Sequence, residues 1–158
     1  MSEKNSLLDY IKEPLVFVNA TFDSHGELFE EVYQQAVKRD WVTTNFIDKI
    51  NERETTFPTG IQLEKRGAAI PHTDPECVKQ EFIAIVTNQK PVSFMRMDDA
   101  NQSVAAEIVF VLGLNQPHAQ LEMLQSLMGL LQNETVLTQL INSQDVPSLI
   151  QIVKQYSF

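Results

Sequence analysis

The sequence predicts an α/β fold: a single-domain sandwich with a central mixed β-sheet flanked by helices on both faces. Three observations predict it. Short apolar, β-branched runs alternate with amphipathic stretches before a helical tail. One run, Ala106–Leu112 (AEIVFVL), is apolar on both of its faces, as a central strand covered on both sides must be. A chain of 158 residues suits one domain over 1–158, with a core that needs no staple.

Each element has its own reason. Leu15–Val18 (LVFV) reads as a buried strand. Ser24 and Glu27 form a capping box that opens a helix over Gly26–Arg39, with Leu28, Val32, Gln35 and Ala36 on one stripe. Thr43 or Thr44 is the candidate cap of a second helix, which carries Phe46, Ile47 and Ile50 inward and ends near Arg53. Glu54–Lys65, with Pro58 and Gly60, reads as a loop or extended segment. Strands follow at Gly67–Ile70, Glu81–Thr87 and Ala106–Leu112, with Pro91–Met97 as a separate edge strand. Leu121, Leu124, Leu127, Met128 and Leu131 give a helix over Pro117–Leu131 at core spacing, its proline suited to the first turn. Asn133–Ile141 and Val146–Tyr156 complete the tail as two short helices.

The net charge is −9. An acidic chain repels phosphate backbones and anionic lipid, so nucleic acid and membrane surfaces are poor partners. The single cysteine, Cys77, excludes an intramolecular disulfide. No apolar run approaches the ~20 residues of a bilayer span, and no signal peptide is visible, so the expected location is the cytoplasm. Glycine-rich phosphate loops, dinucleotide fingerprints, zinc-protease motifs and nucleophile elbows are all missing from the sequence.

The chemistry-bearing candidates are few. His72 follows Ala68-Ala69-Ile70-Pro71, a small strand ended by a proline that keeps Ile70 extended. That places an imidazole just past a strand end on a rigid neck, where sites in α/β proteins form. Thr73 and Asp74 are in position to bond a ring nitrogen and set its tautomer. Arg53, Lys65, Arg66 and Lys79 bracket this histidine as a local positive zone suited to an anion, with Arg53 also readable as a helix-end cation. His118 sits in the first turn of its helix, where free N–H groups favour an anion; a capping histidine is the bland reading. His25 reads as surface, and Cys77 as packing. A metal site built on His72 and His118 lacks a second ligand pair.

In order, these residues spell Arg53-Glu54, Phe57-Pro58-Thr59-Gly60-Ile61, Ala69-Ile70-Pro71-His72, then His118 with Leu121, Leu124 and Leu127. This pattern resembles the enzyme IIA domain of the bacterial sugar phosphotransferase system, in the fructose–mannitol superfamily. The F-P-T-G-I form looks most like the galactitol-type branch, while Thr73 and the Arg66-Gly67-Ala68 lead-in depart from the usual pattern. The resemblance implies a cytoplasmic phosphocarrier without a cofactor. His72 would accept a phosphoryl group from the histidine phosphocarrier protein and pass it to a cysteine of enzyme IIB, which serves the membrane subunit enzyme IIC. Arg53 and His118 match positions that stabilise the phosphoryl group. The alternative that the resemblance leaves open is a regulatory phospho-switch of the nitrogen-related type, which binds a partner according to its phosphorylation state.

Overall fold

The computed structural model describes residues 7–156; residues 1–6 and 157–158 of the expected domain lie outside the described residues. The chain runs α1 (Leu7–Tyr10), β1 (Ile11–Ala20), α2 (His25–Val37), α3 (Phe46–Thr56), β2 (Gly60–Gln62), β3 (Gly67–Ala69), β4 (Phe82–Met95), β5 (Ser103–Gly113), α4 (Pro117–Leu131), α5 (Glu134–Ile141) and α6 (Val146–Tyr156). The five strands form one mixed sheet in the order β1-β4-β5-β3-β2. β1 with β4 and β3 with β5 are parallel; β4 with β5 and β2 with β3 are antiparallel.

Helices cover both faces, because the two central strands are apolar on both sides. Phe82, Ala84 and Val86 of β4 and Val109 and Val111 of β5 pack with Leu28, Phe29 and Val32 of α2 and Phe46 and Ile50 of α3. The alternate residues Ile83, Ile85, Ile108, Phe110 and Leu112 pack with Met123, Leu127, Leu137, Leu140, Leu149 and Val153 of α4–α6.

Several boundaries differ from expectation, each for a local reason. β1 begins well before Leu15 and includes Pro14. It is an edge strand bonded only to β4, and an edge tolerates a residue without an N–H. The two expected strands Glu81–Thr87 and Pro91–Met97 are one strand, β4, with a register shift between Thr87 and Val92. β1 stops pairing at Asn88, so Pro91 falls where one edge of β4 is already free. Burial tracks the change: Phe82–Asn88 is continuously buried, whereas Val92–Met95 alternates. Half of the capping box at α2 forms: Ser24 Oγ accepts from the Glu27 N–H at 3.2 Å, while the Glu27 carboxylate reaches one residue past the cap to the Asp23 N–H at 3.0 Å. At α3 the cap position falls to Asn45 rather than Thr43 or Thr44, and the helix runs on past Arg53 to Thr56. The Glu54–Lys65 segment therefore ends α3 and contributes β2.

The α4 stripe is rotated from the expected one. Met123, Leu127, Leu130 and Leu131 are buried, while Leu121 is 57% and Met128 37% exposed. A helix apolar nearly all round offers more than one stripe at helical spacing, and docking on the sheet selects among them.

Candidate functional site

The site forms where β3 ends beside β5. β3 pairs with β5 at Ala68–Ile108 and Ala69–Val109, and beyond it Leu112 donates its N–H to the Pro71 carbonyl at 2.9 Å. His72 then bridges Leu112 in parallel register. Proline has a fixed φ and no donor of its own, so Pro71 delivers an extended neck whose carbonyl alone ties it to the sheet.

His72 is half-buried on this neck. Its Nδ1 lies 3.0 Å from the Ile70 carbonyl oxygen. A carbonyl only accepts, so Nδ1 carries the proton and Nε2 holds the lone pair of the neutral ring. Burial lowers the His72 pKa below its usual 6.5; the Ile70 carbonyl works against that, and the Arg53 charge adds to it. The imidazole is therefore held neutral at pH 7.

Arg53 comes from the last turn of α3, as its sequence position implied. Its guanidinium lies 3.7 Å from an Asp74 carboxylate oxygen and 5.2 Å from the centroid of the Phe57 ring. Its Nε is buried without a hydrogen-bond partner. The fold thus brings His72, Arg53 and Asp74 together from two elements. The wider positive zone does not form: Arg66 pairs with Glu107 and bonds Thr138, Lys79 pairs with Asp40, and Lys65 is exposed.

His118 behaves differently. It sits in the first turn of α4 with its side chain 87% exposed, and its Nε2 pairs with Glu122 at 3.1 Å. Its bonding partner is on its own helix, not His72. Thr73 and Asp74 do not set the His72 tautomer: Thr73 Oγ1 is buried without a partner, and Asp74 faces Arg53. His25 is more than surface, its ring lying 5.5 Å from Phe29 and 5.1 Å from Phe94. Cys77 is buried, with burial pushing its thiol pKa up, which suits packing. Among the described residues, no group of three His, Cys, Asp or Glu side chains is arranged to hold a metal ion.

One residue of the site was passed over as a candidate in its own right. Glu54, next to Arg53, is only 5% exposed. Its two carboxyl oxygens accept from the Thr59 N–H and the Thr59 hydroxyl, each at 2.8 Å. Burial raises its pKa to about 7 against the lowering effect of those two bonds. The signal lay in the sequence as a carboxylate inside the Arg53-Glu54 pair, but burial of an acidic residue at a helix end leaves no compositional trace.

A few exposed apolar side chains surround these elements. Phe57 is 61% exposed, and Met97 and Met128 line one cavity with Gly60, Ile61 and Gln62. Gly60 is required there: a Cβ would lie 2.5 Å from both the Met95 carbonyl oxygen and Val104. Its carbonyl accepts from the Met97 N–H at 2.7 Å. Among the described residues no helix is long and apolar enough to cross a membrane.

Comparison with known proteins gives this geometry a family. Residues 9–156 match the model of "Phosphoenolpyruvate-dependent sugar phosphotransferase system, EIIA 2". The galactitol-specific EIIA component of the phosphotransferase system of Escherichia coli K12 is 31% identical over 121 residues, covering 77% of this chain and 80% of that protein. Two solved structures share the fold. The nitrogen regulatory protein IIA-Ntr of Neisseria meningitidis has a TM-score of 0.77 and 21% identity, with 92% of this chain and 97% of that one covered. The enzyme IIAMTL complex with phosphorylated enzyme IIBMTL from Escherichia coli has a TM-score of 0.72 and 19% identity, with the same coverage. The chain belongs to the EIIA type 2 family of phosphoenolpyruvate-dependent sugar phosphotransferase systems, and is a phosphotransferase component of such a system.

Proposed function

We propose that His72 is the phosphoryl carrier of this component. The observation that supports it most is the state of the ring: neutral, with its Nδ1–H donated to Ile70 and its Nε2 lone pair left for attack, beside the Arg53 cation. In the first step Nε2 attacks the phosphorus of the phosphohistidine on the histidine phosphocarrier protein. A P–N bond forms on His72 as the donor's P–N bond breaks, and the electron pair returns to the donor's ring. In the second step a cysteine thiolate of enzyme IIB attacks the same phosphorus, and the His72 ring leaves as the neutral imidazole. Such a transfer asks the protein for alignment and for charge at the equatorial oxygens. Arg53 supplies a fixed cation, and its unpartnered Nε is one donor still unused. His118 supplies a second donor from the rim once it leaves Glu122, and an exposed pair of that kind costs at most about 1 kcal/mol to break.

The galactitol-specific relative supports a sugar or polyol uptake system; with it the proposal takes a cytoplasmic location and a membrane enzyme IIC reached through enzyme IIB. The likeness to IIA-Ntr is one of fold, so the regulatory reading has no comparable support. The docking face in this reading is Phe57, which lies against Arg53, together with the cavity lined by Ile61, Met97 and Met128. Ile70, beside His72 in sequence, is 2% exposed and belongs to the core rather than to that face. A carrier must release its partners, so the interface is small, at or below about 1,200 Å².

The test is incubation with phosphoenolpyruvate, enzyme I and the phosphocarrier protein. One acid-labile, alkali-stable phosphoryl group is expected, then transfer to a galactitol-type enzyme IIB in preference to a mannitol-type one. Undiminished labelling of His72→Ala would overturn the assignment.

A further inference from the structure

We propose that Glu54 is a positioning residue for His72, acting through Thr59 and Ile70 to hold the ring in its Nδ1–H form. The proposal rests on the reading of His72 as the phosphoryl acceptor and deepens it. Glu54 touches neither His72 nor a phosphoryl group; it acts along a continuous chain of hydrogen bonds. Its carboxyl oxygens take the Thr59 N–H and hydroxyl, both at 2.8 Å. The Thr59 carbonyl accepts from the Ile70 N–H at 3.3 Å. The Ile70 carbonyl accepts from His72 Nδ1 at 3.0 Å. Glu54, Thr59 and Ile70 are each at most 5% exposed, so water does not compete for these groups.

The arrangement has a direction. Thr59 is the last residue before β2, and its neighbour Gly60 is locked under Met95 and Val104. Glu54 fixes Thr59 from the α3 side with two bonds on one residue, so the Thr59 carbonyl cannot rotate away from Ile70. With its N–H held, Ile70 presents its own carbonyl at a fixed place, and Pro71, pinned by Leu112, prevents the neck from adjusting. The carbonyl then selects the tautomer, which decides whether Nε2 is a nucleophile or an N–H. A carboxyl group is a costly way to brace a helix end when an apolar side chain would fill the space. Its retention here fits a role that needs two hydrogen-bonding atoms held in one plane against the Thr59 N–H and hydroxyl.

The experiment reads the His72 tautomer in the full chain by imidazole ¹⁵N NMR at pH 8, without any phosphoryl donor, alongside single-turnover acceptance. The wild-type ring is expected in the Nδ1–H form. Glu54→Ala is expected to mix the two tautomers and slow acceptance by about tenfold to a hundredfold, as small misplacements do, while Glu54→Gln, which bonds Thr59 at both atoms, stays within about threefold. A folded Glu54→Ala with the wild-type tautomer and rate overturns the proposal. If that variant does not fold, Thr59→Val removes only the hydroxyl contact; a shifted tautomer there supports the relay, and an unchanged one overturns it. A wild-type chain that takes no label on His72 would instead sink the carrier reading and leave the tautomer measurement standing.

Discussion

Arg53 and Asp74 approach to 3.7 Å while each side chain remains more than a third exposed. Arg53 also acts electrostatically on His72, so a phosphoryl group carried there, as proposed, would compete with this carboxylate for the same guanidinium. A loose, partly solvated pair of this kind is worth about 0.2–1 kcal/mol. Asp74→Asn should therefore shift the phosphoryl equilibrium toward this chain by about 1.4-fold to fivefold, measured as the phosphorylated fraction at a fixed donor ratio. A shift toward the donor would show that Asp74 holds Arg53 in place rather than competing for it.

With His72 as the proposed acceptor, the acid limb of phosphoryl acceptance should report on its ring. The neutral ring is the reactive form, and the folded pKa is lowered below 6.5. Acceptance should already exceed half its plateau at pH 6.5 and reach the half-point at a lower pH, in single-turnover assays from pH 5 to 8. A midpoint above 6.5 would mean that the site favours the imidazolium and would contradict the geometry.

Glu54 makes the opposite contribution to stability. Its pKa rises from 4.5 to about 7 on folding. Between those values the folded chain keeps a proton that the unfolded chain has released, so stability falls as pH rises through the interval and levels off above about 7. The full loss is on the order of 3 kcal/mol. His72 acts in the other sense: with a lowered folded pKa, its contribution is complete above 6.5 and is lost as pH falls. Comparing urea midpoints of Glu54→Gln and wild type at pH 4.5 and 7.5 isolates the carboxyl. The variant should gain on wild type at the higher pH, and parallel pH profiles would refute this.

His118 is expected to matter for transfer and not for labelling. His118→Ala should still be phosphorylated on His72 but transfer more slowly, mostly to enzyme IIB, by less than the roughly 10²–10³ that a fully preorganised donor supplies, because His118 must first leave Glu122. Glu122→Gln, which loosens the resting pair, should leave transfer intact or faster. Wild-type rates for His118→Ala in both directions would leave it a helix-end residue.

The register of α4 is directly testable. Leu127 is fully buried and Leu121 is 57% exposed. Leu127→Ala should cost about 2–5 kcal/mol, against under about 0.5 kcal/mol for Leu121→Ala in the same thermal melts. Similar costs at both positions would put the helix in the register that its sequence spacing suggested.

That helix shows what the sequence could and could not convey. Strands with apolar residues on both faces, the Ser24–Glu27 cap and the Pro71 neck are local features, and they were legible because nearby residues determine them. The face of α4 was not, since Leu121 and Leu127 are equally apolar and only the sheet chooses between them. β4 was split in two because Pro91 is a local break whose harmlessness depends on where β1, far away in sequence, stops pairing. At the candidate site, His72 and Arg53 stand out in the sequence through their motif, and the fold brings them to one place. Asp74 as the partner of Arg53, Ile70 as the tautomer setter and Glu54 as a buried brace do not, because each depends on a contact made only after folding.

The bond from the Leu112 N–H to the Pro71 carbonyl has a bearing on synthesis. A ribosome adds residues from the N-terminus onward, so His72 emerges well before the strand that seats its neck. Until β5 has been made and has docked beside β3, the imidazole sits on a free segment without its fixed tautomer. Contacts this distant in sequence form late in folding. On the proposed carrier role, a nascent or truncated chain ending before β5 carries the histidine without the seat that fixes its tautomer, and should accept phosphoryl groups more slowly than the whole domain.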